Sequence, residues 1–281
     1  MSDRMGWLLL VAIGFGGCSR FVTPPELPVA SSVELDELVV YSDFKLPDNH
    51  RLLRDLEMLR AEITDQLSIP VSDEQVYVYI FKTPRRYKKF LRQHFPDFPD
   101  RRAFFVETES RLSVYSYWGD RIAEDLRHEV SHGYLHAVVP AVPLWLDEGL
   151  AEYFEGGPGD AGFNQPHLQQ ILAAANQGKW QPDLTRLERL EDVAEMRQID
   201  YAEAWLWTHF LLRTTAARKK LLSDYLKQCQ GRPKRPLSKI WFELEPDAEQ
   251  HLLEHLQMLN KDESLFQDQP ETVVSESHRL K

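Results

Sequence analysis

The apolar pattern of the chain changes character once, near Trp118, and that change limits the possible folds more than any other feature of the sequence. Before it, short runs of β-branched and aromatic residues alternate with helical spacings; after it, nearly everything carries helical spacing. Residues 33–44 alternate as one or two strands, 48–67 place Leu52, Leu53, Leu56, Leu59, Ile63 and Leu67 at helical intervals, and the apolar run at 75–81 suits a buried strand. Thr83 as N-cap and Pro84 at the first helical position open a basic helix that reaches about residue 95. The segments 103–107 and 112–118 flank the polar turn Thr108-Glu109-Ser110-Arg111 and read as a hairpin or as adjacent strands. Helices are predicted over 120–138, 143–154, 167–176, 201–213, 216–228 and 246–259, with breaks at Pro140, 156–162 and 231–236. A small mixed sheet in the N-terminal half followed by a helical half is an α+β fold, with one domain expected over 33–260 and no internal repeat.

The chain has 281 residues, 43% of them apolar, enough for a large core. Its formal charge of −11 repels phosphate backbones, so nucleic acid is set aside as a partner. Arg4, an apolar run over 7–15, and then Gly16, Gly17 and Cys18 have the layout of an export signal and are too short to span a bilayer. The small residues before Cys18 resemble a bacterial lipobox, although Phe15 stands where a branched aliphatic residue is usual and Asp3 offsets Arg4. That resemblance implies an exported lipoprotein, acylated at Cys18 and tethered to a membrane on its periplasmic or extracellular side. An ordinary signal peptide on a secreted protein, or a short uncleaved anchor, fits the same layout. Residues 1–18 would then be the signal, 19–32 a proline-rich tether, and 261–281 a disordered acidic tail. Cys229 is the only other cysteine, so no internal disulfide is expected.

His128-Glu129-Val130-Ser131-His132 matches H-E-x-x-H inside a predicted helix. Two histidines four residues apart rise about 6 Å along one helical face, so two imidazoles can converge on one Zn²⁺ with the glutamate beside it. A catalytic zinc also needs a third protein ligand and an open position. The continuation Gly133-Tyr134-Leu135-His136-Ala137-Val138 lacks the glycine and histidine by which metzincins complete the set. His136 lies about 12 Å in rise from His128 on a straight helix and cannot close around the same ion, so it reads as a helix-end histidine.

The segment from Pro143 through Trp145, Leu146, Asp147, Glu148, Gly149 and Ala151 to Tyr153 resembles the W-L-x-E-G-x-A segment of the gluzincins, the peptidase MA-like zinc metallopeptidases. The resemblance spans 76–210 and is most specific over 128–153. It implies a zincin-like pair of antiparallel helices in which Glu148 is the third ligand to a single Zn²⁺, the break at 139–142 reverses the chain, and Gly149 allows close helix contact beside the ion. Glu152 is then placed to accept the second ring N–H of His128 or His132, or else belongs to a solvated acidic face. Tyr201-Ala202-Glu203-Ala204-Trp205 resembles the tyrosine-bearing segment of zinc aminopeptidases, with Glu203-Ala204 replacing their lysine-glycine. Tyr201 therefore either hydrogen-bonds the tetrahedral oxyanion or packs at a helix start. By sequence order 112–117 corresponds to the gluzincin edge strand that pairs with substrate, but the sequence leaves open whether it lies at an edge or inside the sheet. The glycines at 156–159 form a rim of the cleft or a plain connector.

The activity implied is hydrolysis of a peptide or protein by a zinc-activated water, with Glu129 as general base. No aminopeptidase-type G-x-M-E-N segment precedes the motif, which favours internal cleavage. Two rivals stand beside this reading: a catalytically silent zincin-fold binding module, and a purely structural lipoprotein in which His128 and Glu148 are unrelated. Oligomeric state leaves no mark in the sequence.

Overall fold

The computed structural model describes residues 26–157, 159–231 and 235–267, with side chains as far as Lys261. The signal-like segment with Cys18, the first part of the tether and residues 268–281 lie outside the described residues. The fold is α+β. Strands β1 (Ser31–Leu35), β2 (Leu38–Ser42), β3 (Val76–Phe81), β4 (Ala103–Thr108) and β5 (Arg111–Tyr117) form one sheet in the order β1-β2-β3-β5-β4. The two outer pairs are antiparallel hairpins, while β2 with β3 and β3 with β5 run parallel. Parallel neighbours need a crossover, which α1 (Arg51–Leu67) supplies between β2 and β3 and α2 (Pro84–His94) between β3 and the second hairpin. Thr83 accepts from the Arg86 backbone N–H and starts α2 directly at Pro84.

Alternation along β3 assigns the two layers. Val76, Val78 and Ile80 join the main core with the apolar stripe of α1, whereas Phe81 joins Tyr87, Phe90, Leu91 and Phe104 in a smaller cluster under α2. The strand expected as a candidate edge, β5, lies inside the sheet between β3 and β4. The edge position belongs to β4, because the returning strand of the second hairpin is the one that pairs with β3.

The helical half runs through α3 (Ile122–His136), α4 (Leu144–Phe154), α5 (Gln165–Asn176), α6 (Leu184–Leu187), α7 (Gln198–Arg213), α8 (Ala216–Gln228), α9 (Leu237–Leu244) and α10 (Ala248–Gln267). The short helices α6 and α9 were not expected, since so few residues show no clear period. Helix α7 begins at Gln198 and not at Tyr201, because the Asp200 carboxylate in its first turn accepts from the Arg197 backbone N–H at 2.7 Å. Helix α10 continues past the expected start of the tail at 261. Every residue from Asp200 to Leu212 is buried, so α7 forms the axis of this half, with α4, α5, α8 and α10 packed around it.

Two glycines set the approach of the helices that carry the site. A Cβ on Gly133 would stand 2.8 Å from the Val76 side chain, so its absence lets α3 settle on the sheet. A Cβ on Gly149 would meet the Ala204 carbonyl oxygen and the Thr208 hydroxyl, each at 2.5 Å. Gly149 thus serves the contact of α4 with α7, not a contact of α4 with α3. Among the described residues no helix is long and apolar enough to cross a membrane.

Candidate metal centre

Helix α3 buries Leu126, Val130 and Tyr134 in the core, which leaves His128 and His132 turned toward α4. Helix α4 is anchored by the fully buried Trp145 and Leu146 and by Leu150, and this fixes the direction of Glu148, itself only 5% exposed. The result is a convergence of three side chains from two helices. His128 Nε2 lies 3.6 Å and His132 Nε2 lies 3.9 Å from Glu148 Oε2, and the two imidazole planes meet at 73°. The candidate ligand atoms all fall within 4.8 Å of one another.

These separations are too long for hydrogen bonds, and Glu148 Oε2 is buried with no hydrogen-bond partner. An orphaned carboxylate oxygen costs about 1–3 kcal/mol or more, so such an atom points to a missing partner. Bonds of about 2.0–2.1 Å to a tetrahedral zinc would set its ligand atoms roughly 3.3 Å apart. Two imidazole nitrogens and a carboxylate oxygen therefore suit one divalent ion after a small contraction.

The other ring nitrogens are held by carboxylates. His132 Nδ1 is 2.9 Å from Asp147 Oδ1, and His128 Nδ1 is 3.3 Å from Glu155 Oε2. This corrects the expectation for Glu152, whose close contact is His167 Nε2 at 2.7 Å. Glu155 lies two helical turns beyond Glu148, and that longer step brings it to the His128 ring. Asn164 links the pair, since its Nδ2 donates to Glu155 at 2.9 Å and approaches Glu152 at 3.5 Å. His136 lies outside the group formed by His128, His132 and Glu148, as its position one turn farther along requires. Its Nε2 is 3.0 Å from Asp147 Oδ2 and its Nδ1 is 2.6 Å from Glu107 Oε2. Burial works against positive charge on His128 and His132, but the carboxylates raise both above the ordinary histidine range.

Two hollows flank the centre and meet at Arg101, His128 and Glu129. One, of about 410 Å³, is walled by Phe98, Phe104, Phe105, Leu144 and Val193. The other, of about 500 Å³, is polar and holds Arg102, Asp125, Glu152, Glu155 and Tyr201. Burial raises the Glu129 carboxyl above its ordinary value, while the imidazoles of His128 and His132 pull it back. Tyr201 is 7% exposed, and its hydroxyl oxygen accepts from Arg101 Nη2 at 3.0 Å. Burial and the charge of Glu148 raise the phenol, and Arg101 counters them. The sequence reading missed Asp147, Glu155 and Arg101. Asp147 and Glu155 carried a usable signal, because the first precedes Glu148 on α4 and the second caps the end of that helix; Arg101 carried none, because it meets Tyr201 across 100 residues of chain. Gly156 and Gly157 border neither of these hollows but a third one, beside Trp118 and Arg127.

Comparison with protein-family models and with curated proteins finds no match for this chain.

Proposed function

We propose that the protein is a zinc-dependent peptidase that cleaves within polypeptide chains. The observation that carries this reading is the buried, unpartnered Glu148 oxygen facing the Nε2 atoms of His128 and His132, with Glu129 on the same cleft. When bound, zinc supplies Lewis acidity that lowers the pKa of a coordinated water and polarises a carbonyl.

His128, His132 and Glu148 are the ligands in this reading. Asp147 and Glu155 stand beside Nδ1 of His132 and of His128, and by accepting a hydrogen bond from its N–H each would keep the Nε2 of that ring free to hold the ion. Glu129 holds the proton lost by the attacking water and returns it to the departing amine, a task helped by a carboxyl whose pKa burial has raised. The Tyr201 O–H donates to the carbonyl oxygen as it gains charge. The cleft continues on both sides of Glu129, apolar on one side and polar on the other, which suits a chain passing through it more than a terminus stopping in it. Among the described residues β4 pairs only with β5, so an extended substrate can add to its free edge. The layout of the first 18 residues supports an exported enzyme held at a membrane through Cys18.

The test is metal analysis and peptide hydrolysis for the wild type, His132→Ala and Glu129→Gln. One zinc per chain is expected in the wild type and in Glu129→Gln, and none in His132→Ala. Turnover of a peptide mixture is expected in the wild type alone, with Glu129→Gln slower by about 10²–10⁴-fold. Zinc-replete protein without turnover would make this a binding module and not an enzyme.

A further inference from the structure

Arg101 stands just before the edge strand β4, and its guanidinium has one hydrogen-bond partner, the Tyr201 hydroxyl. Among the described residues no carboxylate pairs with it, although the chain carries a net charge of −11 and the nearby cleft holds Glu129, Glu148, Glu152 and Glu155. An arginine side chain has N–H donors and no acceptor, so the Tyr201 oxygen must accept from it. The phenol proton is then directed elsewhere, and no other hydrogen bond of that hydroxyl is found among the described residues. The space open to it is the polar hollow it shares with His128 and Glu129. The guanidinium carbon also lies over the Tyr201 ring, 5.9 Å from its centre.

We propose that Arg101 is a positioning residue for peptide hydrolysis: it fixes Tyr201 with the O–H turned into the cleft, toward the carbonyl oxygen that becomes negative. This rests on the peptidase reading above. A donor held in place before the reaction begins needs no reorganisation as charge develops, which is why loss of one such donor slows catalysis by about 10²–10³-fold. A guanidinium donating to the phenol oxygen polarises the O–H further, so Arg101 acts through Tyr201 and the two effects cannot be independent.

The experiment compares the zinc-loaded wild type with Arg101→Ala, Arg101→Lys, Tyr201→Phe and the Arg101→Ala/Tyr201→Phe double variant. The substrates are a peptide blocked at both ends and the same peptide with a free carboxyl terminus. Arg101 is exposed, so its variants are expected to keep the wild-type thermal midpoint and zinc content. The expected result is a kcat lowered by about 10–10²-fold in Arg101→Ala and 10²–10³-fold in Tyr201→Phe, with KM little changed and both peptides affected alike. The double variant should be no slower than Tyr201→Phe, and Arg101→Lys should recover part of the loss. Losses that multiply in the double variant would overturn the proposal. So would a loss confined to KM for the free-carboxyl peptide, which would make Arg101 an anchor for a substrate terminus. Wild-type protein that binds zinc and cleaves neither peptide overturns the peptidase reading and the role of Arg101 with it, an outcome distinct from an active wild type indifferent to Arg101→Ala.

Discussion

Asp147 Oδ1 lies 2.9 Å from Nδ1 of His132, and the second oxygen of the same carboxylate lies 3.0 Å from Nε2 of His136. One side chain, next in sequence to the candidate ligand Glu148, thereby orients a candidate metal histidine and ties it to a third imidazole. Burial by itself would raise the Asp147 carboxyl, but His132 and His136 hold it well below the usual carboxylate range. Burial likewise opposes charge on His136, yet Asp147 and Glu107 push it up to about 10. Asp147 is therefore a charged acceptor at neutral pH.

Replacing Asp147 with alanine frees the His132 ring to rotate and removes the acceptor that makes its Nε2 a better donor to a metal. Zinc affinity is expected to fall by about 10–100-fold, measured by competition with a chromogenic chelator. Wild-type affinity in this variant would show that the packing of α3 against α4 alone orients His132.

Glu155 and Glu152 can be separated in the same assay. Glu155→Ala removes the carboxylate 3.3 Å from His128 Nδ1, whereas Glu152→Ala removes the partner of His167. The Glu155 variant is expected to bind zinc at least several-fold more weakly than the Glu152 variant. The reverse order would assign the supporting role to Glu152.

Gly149→Ala forces a methyl group against the Ala204 carbonyl and the Thr208 hydroxyl on α7, where 2.5 Å is available. Backbone cannot yield as a flexible side chain can, so a destabilisation of about 1–3 kcal/mol is expected in urea titrations of the metal-free protein. Zinc affinity should fall as well, because pushing α4 off α7 moves the adjacent Glu148. An unchanged unfolding midpoint would mean that α4 has room to shift.

Acid should weaken the fold through a buried histidine pair that lines neither hollow. His209 Nδ1 and His255 Nε2 are 2.9 Å apart between α7 and α10, and burial lowers the first to about 3 and the second to about 4. Above pH 6.5 neither the folded nor the unfolded chain protonates them. Below it the unfolded chain takes up protons that the folded one refuses until about pH 4. Stability is therefore present above the unfolded value and falls as the pH drops from about 6.5 to 4, by an order of 2–4 kcal/mol for the pair between pH 6.5 and 5. Denaturant titrations at several pH values should give a shallower acid loss for His255→Phe than for the wild type; parallel curves would rule the pair out as the source.

What the sequence determined by itself was local. The spacing of His128 and His132, the cap at Thr83, the alternation along 75–81 and the switch to helical spacing after Trp118 each depend on residues within a turn or two, so the α+β class and the histidine pair were legible from the order of residues, while Glu148 was reached only through the resemblance of 143–153 to the gluzincin segment. Tertiary structure decided which groups meet across elements: that Glu155 rather than Glu152 reaches His128, that β4 and not β5 lies at the sheet edge, that Gly149 faces α7, and that Arg101 meets Tyr201. The physical reason is that a side chain's partner depends on the rotation and separation of packed elements. Those are set by the whole buried core at once, and no short stretch of sequence encodes them.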